Sequence, residues 1–324
     1  MATNSPKSFK LNTYYKFDAL TKSFEVDSLT LIQQNNLRQI TLFCDDKEST
    51  QQNNLCSLIG SFSEAVILIK NKKEHKIIWQ AYIHAQKLNN FVNNKIRESQ
   101  FDYIIWPKNH HKVPKLIVFD MDSTFIQIEV IDELARVHNV GEEVSKVTES
   151  AMRGELDFSE SLITRVACLK DLNSKTIEQI ANKLPLSFGV NKLVEWAHLN
   201  DIKIAIVSGG FTPFVEKLKE KMGLYRVKAN NLEIANNKLT GKVLGKIVDA
   251  QSKADFINLL KKELNLESNE IMAIGDGAND LVMMQETGFS LAYKAKPAVD
   301  EKAKGRMKST NLDHLISVFT NQIE

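Results

Sequence analysis

The sequence predicts an α/β fold: a doubly wound parallel sheet with an inserted helical cap, preceded by a small N-terminal α/β domain. Three observations carry this reading. Four short runs, Leu116 to Phe119, Ile202 to Val207, Ile271 to Ile274 and Phe289 to Tyr293, are dominated by apolar residues, as strands buried on both faces of a parallel sheet are. Helical stretches separate them, the alternation that defines the class. Residues 126–190, between the first and second runs, are too many for an ordinary crossover. They carry helical patterns of their own over Val130 to His138, Val144 to Arg153, Phe158 to Leu169 and Ser174 to Lys183.

The 324 residues suit two domains, and the chain divides near residue 110. Residues 1–108 are rich in Asn, Gln and Lys and are expected to form an accessory domain, regulatory or dimerising. Within them Ile40 to Phe43, Val66 to Ile69 and Tyr103 to Trp106 read as strands, and Tyr82 to Ile96 as a helix. The segment from Pro107 to Pro114 reads as a linker, and its adjacent His110 and His111 as solvated side chains rather than ligands. Residues 109–324 form the second domain. In it, Thr212 is the expected N-cap of a helix with Pro213 at its first position, Phe214, Val215, Leu218 and Met222 on one face, and Gly223 just past its end. Leu232 to Val248 reads as a β-hairpin. The basic run Lys294 to Lys308, broken by Asp300 and Glu301, reads as a solvated face.

Composition narrows the function. Lys+Arg number 42 against 40 Asp+Glu, a net charge of +2, which does not suggest a nucleic-acid partner. Cys44, Cys56 and Cys168 lack paired or metal-site spacing and read as reduced thiols. The N-terminal residues lack the apolar centre of a signal peptide, and no apolar run approaches the roughly 20 residues that span a bilayer. The expectation is a soluble, cytoplasmic protein without a membrane partner.

In doubly wound sheets ligands sit beyond the carboxyl ends of the strands. There the sequence places Asp120-Met-Asp122-Ser-Thr124, Ser208-Gly209-Gly210, and Gly275-Asp276-Gly277-Ala-Asn279-Asp280 at the start of a helix. Lys253 precedes a helix expected over Ala254 to Leu264. Clustered carboxylates repel and require a cation, and an all-oxygen ligand set favours Mg²⁺ over zinc. Glycine-flanked N–H groups and a helix N-terminus suit a phosphate. The set describes a phosphoryl-transfer site without a Walker motif.

These residues resemble the haloacid dehalogenase superfamily, over about residues 114–324. Its four motifs stand here as Asp120-Met-Asp-Ser-Thr124, Ser208-Gly-Gly-Phe211, Lys253 and Gly275-Asp-Gly-Ala-Asn-Asp280. Ala151 to Phe158 and Ser161 to Val166 are similar to the subfamily that hydrolyses O-phospho-L-serine. The resemblance implies a Rossmann-like core and an aspartyl-phosphate formed on Asp120. It implies Asp122 as general acid and then general base, a role that needs a carboxyl group protonated near neutral pH. It implies Mg²⁺ held by the side chain of Asp120, the backbone carbonyl of Asp122 and the side chain of Asp276, with Asp280 behind them. Ser208, Gly209, Lys253 and Asn279 would hold the phosphate group. Glu129 would read the substrate ammonium and Arg165 its carboxylate, with Met152 and Phe158 as apolar contacts. The product would be L-serine, at the last step of its biosynthesis, made by an enzyme that a homodimer would suit. Two other readings stay open: phosphotransfer to an acceptor such as homoserine, and an inactive amino-acid sensor.

Overall fold

The computed structural model describes residues 113–320 throughout, together with 13–18, 23–26, 37–45, 66–73, 76–84, 88, 92, 96 and 101–106. The N-terminal region contributes β1 (Thr13–Asp18), β2 (Ser23–Val26), β3 (Leu37–Asp45), β4 (Val66–Lys73), β5 (Lys76–His84) and β6 (Asp102–Ile105). The rest contributes β7 (Leu116–Phe119), β8 (Lys203–Phe211), β9 (Arg226–Ala235), β10 (Lys238–Leu244), β11 (Ile271–Gly275), β12 (Phe289–Tyr293) and β13 (Gly305–Met307).

Six of these strands run parallel in the order β9-β8-β7-β11-β12-β13. Counted along the chain that order is 3-2-1-4-5-6, the doubly wound arrangement, with its switch point between β7 and β11. Successive residues of the buried strands face opposite layers, as the two-residue period requires. Ile117, Phe119, Ile204, Ile206, Met272 and Ile274 enter one apolar cluster, and Leu116, Val118, Ala205, Val207, Ile271 and Ala273 the other. A continuous apolar run is therefore what each strand needs.

Between β7 and β8 lie α1 (Val130–Val137), α2 (Gly141–Met152), α3 (Phe158–Cys168), α4 (Ser174–Ala181) and α5 (Val190–Leu199). Asp157 caps α3 in a capping box with Glu160. Downstream follow α6 (Thr212–Met222), α7 (Ala250–Glu263), α8 (Leu281–Gln285), α9 (Pro297–Asp300) and α10 (His314–Thr320). Among the described residues no helix is long and apolar enough to cross a membrane.

The sheet does not stop at the core. β13 pairs antiparallel with β6, with Arg306 opposite Tyr103, and the order continues β6-β3-β5-β4-β1-β2, all antiparallel. Arg306 is buried at this junction and donates to the carbonyls of Ile96 at 3.0 Å and Phe101 at 2.7 Å. The carboxylate of Asp102, also buried, accepts the N–H groups of Lys308, Ser309 and Thr310 and the hydroxyl of Thr310.

Several local expectations change. Tyr82–His84 belong to β5, paired with β3, so the helix expected from Tyr82 begins later; Leu88, Val92 and Ile96 are helical and buried. Phe211, not Thr212, is the N-cap of α6, because β8 runs directly into the helix; the Thr212 hydroxyl instead donates to Asn231 Oδ1 at 2.7 Å. Asp249 caps α7 through the N–H of Ser252, so the helix begins four residues before the expected Ala254 and contains Lys253. The hairpin is β9–β10, but β9 starts at Arg226 and extends the parallel sheet. The run Lys294 to Lys308 is not all solvated, since it supplies β13 and buried Arg306. Pro107–Lys112, with His110 and His111, and the side chains of Cys44 and Cys56 lie outside the described residues.

Candidate active site

The site lies at the carboxyl ends of β7, β8 and β11, at the switch point. Asp120 directly follows β7 in extended conformation, and the chain then turns tightly through Met121–Phe125, with Ser123 at φ 55°. This turn brings Asp120 and Asp122 to one cavity of about 470 Å³, a size suited to a small ligand. Its wall also includes Glu129, Met152, Phe158, Arg165, Gly209, Asp276 and Asn279.

Lys253, fully buried on α7, reaches 2.7 Å from both Asp120 Oδ1 and Asp280 Oδ1. Burial opposes its charge, but Asp120 and Asp280 outweigh that and hold its pKa above the ordinary lysine value. Asp280 Oδ2 accepts the N–H groups of Asp276 and Gly277, at 3.1 and 3.0 Å. These donors, suited by sequence to a phosphate, are thus already engaged. Gly275 is required at this turn, because a Cβ there would run into the Asp280 carboxylate.

Carboxylate oxygens of Asp120, Asp276 and Asp280 lie within 4.8 Å of one another. Three hard oxygen donors at this spacing fit a divalent cation of the magnesium type. The carboxylate of Asp122 is engaged elsewhere. Its Oδ1 accepts the N–H of Val130, at the start of α1, at 2.8 Å, and its Oδ2 accepts the Ser208 hydroxyl at 3.1 Å. Ser208 Oγ in turn accepts the N–H of Gly210 at 2.8 Å.

Burial raises the pKa of three of these acids. Burial raises the pKa of Asp122 to about 7, and the charge of Glu129 adds to the effect. Burial and then Asp280 raise Asp276 to about 6, while the Thr124 hydroxyl, 3.1 Å from its Oδ1, opposes the shift. Burial also drives Asp120 well above the usual carboxylate range, with Asp280 adding and Lys253 opposing. Asp122 therefore meets the requirement of a carboxyl group that holds a proton near neutral pH.

The helices α1–α3 supply the outer wall. Glu129 precedes α1 and accepts the Ser123 hydroxyl at 2.7 Å. Arg165 on α3 is half-buried; burial lowers its pKa, opposed by Asp132, Glu129 and Asp122. Met152 and Phe158 line the cavity and are 76% and 37% exposed, which places them at its mouth. A Cβ on Gly209 would lie 2.9 Å from Phe158 Cζ, so the strand-end glycine is what lets the outer wall approach.

Residues 114–288 match the haloacid dehalogenase-like hydrolase family. The chain belongs to that family. It is 48% identical over 207 residues to a phosphoserine phosphatase of Vibrio cholerae, covering 64% of this chain and 63% of the relative. The chain spans just under two thirds of the length of that relative and of a 41% identical phosphoserine phosphatase from Archaeoglobus fulgidus, of which it covers 64%. Among solved structures, a probable phosphoserine phosphatase from Vibrio cholerae in unliganded form aligns with TM-score 0.70 and 37% identity, over 87% of this chain and 86% of that one. A substrate-bound phosphoserine phosphatase complex aligns with TM-score 0.59 and 37% identity, over 64% and 99%.

The structure thus gathers Asp120, Asp122, Glu129, Met152, Phe158, Arg165, Gly209, Asp276 and Asn279 around one cavity, with Ser208, Lys253 and Asp280 bonded directly to its acids. Three further residues of this haloacid dehalogenase-like site escaped the sequence reading. Ser123 hydrogen-bonds Glu129. Asn230, buried in β9, donates to the Gly209 carbonyl and accepts the Val248 N–H, both at 2.8 Å, which fixes the glycine turn. Lys296 lines the cavity. A polar Asn within a strand was the one local signal for Asn230; the others depend on long-range packing.

Proposed function

We propose that this chain is a Mg²⁺-dependent phosphatase that hydrolyses O-phospho-L-serine to L-serine and phosphate. The observation that carries the reading is the pairing of two unlike acids at one strand end. Asp120, beside Lys253, faces the cavity as a nucleophile; Asp122, held by Val130 and Ser208, keeps a proton for the leaving oxygen. Asp120 attacks phosphorus, the serine oxygen departs with the proton of Asp122, and an aspartyl-phosphate results. Asp122 then takes a proton from water, which attacks the phosphorus and releases phosphate. Asp120 and Asp276 would supply side-chain oxygens for the metal, with the Asp122 carbonyl as a further ligand and Asp280, already bonded to Lys253 and to the Asp276 and Gly277 N–H groups, behind them. The ion supplies charge neutralisation at the phosphate oxygens. Ser208, Gly209, Lys253 and Asn279 hold the phosphate group.

Glu129 and Arg165 give the substrate choice. One acid and one base on a cavity wall match the ammonium and carboxylate of an amino acid, and an arginine reads a carboxylate with bidentate geometry. Names and bound states of the related enzymes support the same substrate. Helices within 126–190 act as a cap that excludes water, and residues 1–108 as an accessory domain with a regulatory or dimerising role. A cytoplasmic setting fits the three unpaired-looking cysteines in the sequence.

The test is steady-state kinetics of Glu129→Gln and Arg165→Ala on O-phospho-L-serine and on p-nitrophenyl phosphate, with and without Mg²⁺. The expected result is a large rise in KM for the amino-acid ester alone. Equal losses on both substrates overturn the assignment of these residues, and no phosphate release with Mg²⁺ overturns the function.

A further inference from the structure

The cavity wall carries more acids than bases. Asp120, Asp122, Glu129 and Asp276 all line it, against two cations, Arg165 and Lys296. Lys253 is fully buried, bonded to Asp120 and Asp280, and stands behind the cavity wall rather than at its mouth. The charge of Arg165 faces Asp132, Glu129 and Asp122. Lys296 differs from both. It is exposed, and no carboxylate lies within ion-pair distance of its ammonium among the described residues. Its backbone N–H donates to the Asp276 carbonyl at 3.0 Å, which anchors it beside the turn that carries Asp276, Gly277 and Asn279. Its position as N-cap of α9, just before Pro297, fixes the backbone there. Its charge is felt at the Asp276 carboxyl.

We propose that Lys296 is a phosphate-capture residue, whose ammonium draws the dianionic group of the incoming ester to the cavity mouth and toward Asp120. A cleft charge of this kind raises local substrate concentration and encounter rate, and its action fades with salt. The inference rests on the phosphomonoester reading of the site.

The experiment is kcat/KM against ionic strength for wild type, Lys296→Met and Lys296→Arg, with O-phospho-L-serine and with p-nitrophenyl phosphate, Mg²⁺ held constant. At low salt Lys296→Met is expected to lose about 5–10-fold in kcat/KM, with most of the loss in KM, and to converge on wild type by about 0.5 M salt. Lys296→Arg keeps the charge and is expected to stay within about 2-fold. A loss that is the same at every salt concentration marks a structural role and overturns the proposal, as does no loss at low salt. Should O-phospho-L-serine prove a poor substrate, the proposed substrate falls, but a salt-dependent loss on p-nitrophenyl phosphate still upholds capture by Lys296.

Discussion

The ammonium of Lys253, wholly removed from solvent, stands 2.7 Å from Asp120 Oδ1. Its second partner, Asp280, is buried as well, so one cation holds two carboxylates together. Lys253→Met leaves both without a counter-charge. Breaking a buried pair in this way costs about 3–5 kcal/mol. Burial and Asp280 already raise the pKa of Asp120 while Lys253 opposes them. Without the lysine, protonation relieves the strain at low pH. The expected stability loss in urea unfolding is therefore larger at pH 8 than at pH 5, and an equal loss at both contradicts the argument.

Asp120→Asn removes the proposed nucleophile but keeps the shape. Turnover is expected to fall by about 10⁴-fold or more. Asp122→Asn is expected to slow release of phosphate from the enzyme. Mass spectrometry of quenched reactions checks both: a phosphate adduct on the peptide containing residue 120 in wild type and Asp122→Asn, none in Asp120→Asn. An adduct on a different residue overturns the scheme.

Metal binding and protons compete for the same oxygens. Asp276 is raised to about 6, and Asp120 is also held well above the usual carboxylate range, both chiefly by burial. For acids raised in the folded state, folding holds protons that the unfolded chain releases, so metal-free stability falls as pH rises above the ordinary carboxylate range through about 6. Added Mg²⁺ restores it. The rise in Tm caused by Mg²⁺ is expected to be larger at pH 8 than at pH 6, and a pH-independent rise argues against these ligands.

Gly210 tolerates no side chain. A Cβ there would lie 2.6 Å from Asp122 Oδ2 and 2.8 Å from Met121 Cε. Gly210→Ala is expected to cost about 1–3 kcal/mol of stability, as overpacking does, and to lower kcat more than that loss explains, because the displaced group is the proposed general acid. Kinetics at a temperature well below Tm separate the two effects.

Asp102→Ala tests the junction between the N-terminal strands and the core. It deprives the N–H groups of Lys308, Ser309 and Thr310 of their acceptor. The Thr310 N–H and hydroxyl, both bonded to Asp102, are buried, and an unsatisfied buried donor costs about 1–3 kcal/mol, whereas Lys308 and Ser309 are exposed and can turn to water. Denaturant unfolding is expected to show a loss of about 2–4 kcal/mol, and a change within error places the acceptor role elsewhere.

How much of this was legible depended on range. β7, β11 and β12 were plain because a strand covered on both faces is dominated by apolar residues, with Ser290 in β12 the one polar exception. The acids and glycines of the site stood out because they follow those strands directly. β9 mixes Arg, Lys and Asn into its run, so its parallel pairing with β8 had no periodic signal. β13 is three residues long and sits in a basic stretch; only the partner strand shows why Arg306 is buried. Lys296 looked like any surface lysine because its neighbours in space, Asp276 and Asn279, stand well apart from it in sequence.

The ladder between Arg306 and Tyr103 carries a practical consequence. A fragment beginning at Val113 would keep every acid of the pocket yet lose the neighbour of β13. Its bare rim of amide groups would then be open to another chain, since unpaired strand edges are templates for aggregation. Trimming at the apparent domain boundary should thus yield material that clumps before it loses chemistry, and light scattering would register the change ahead of any assay.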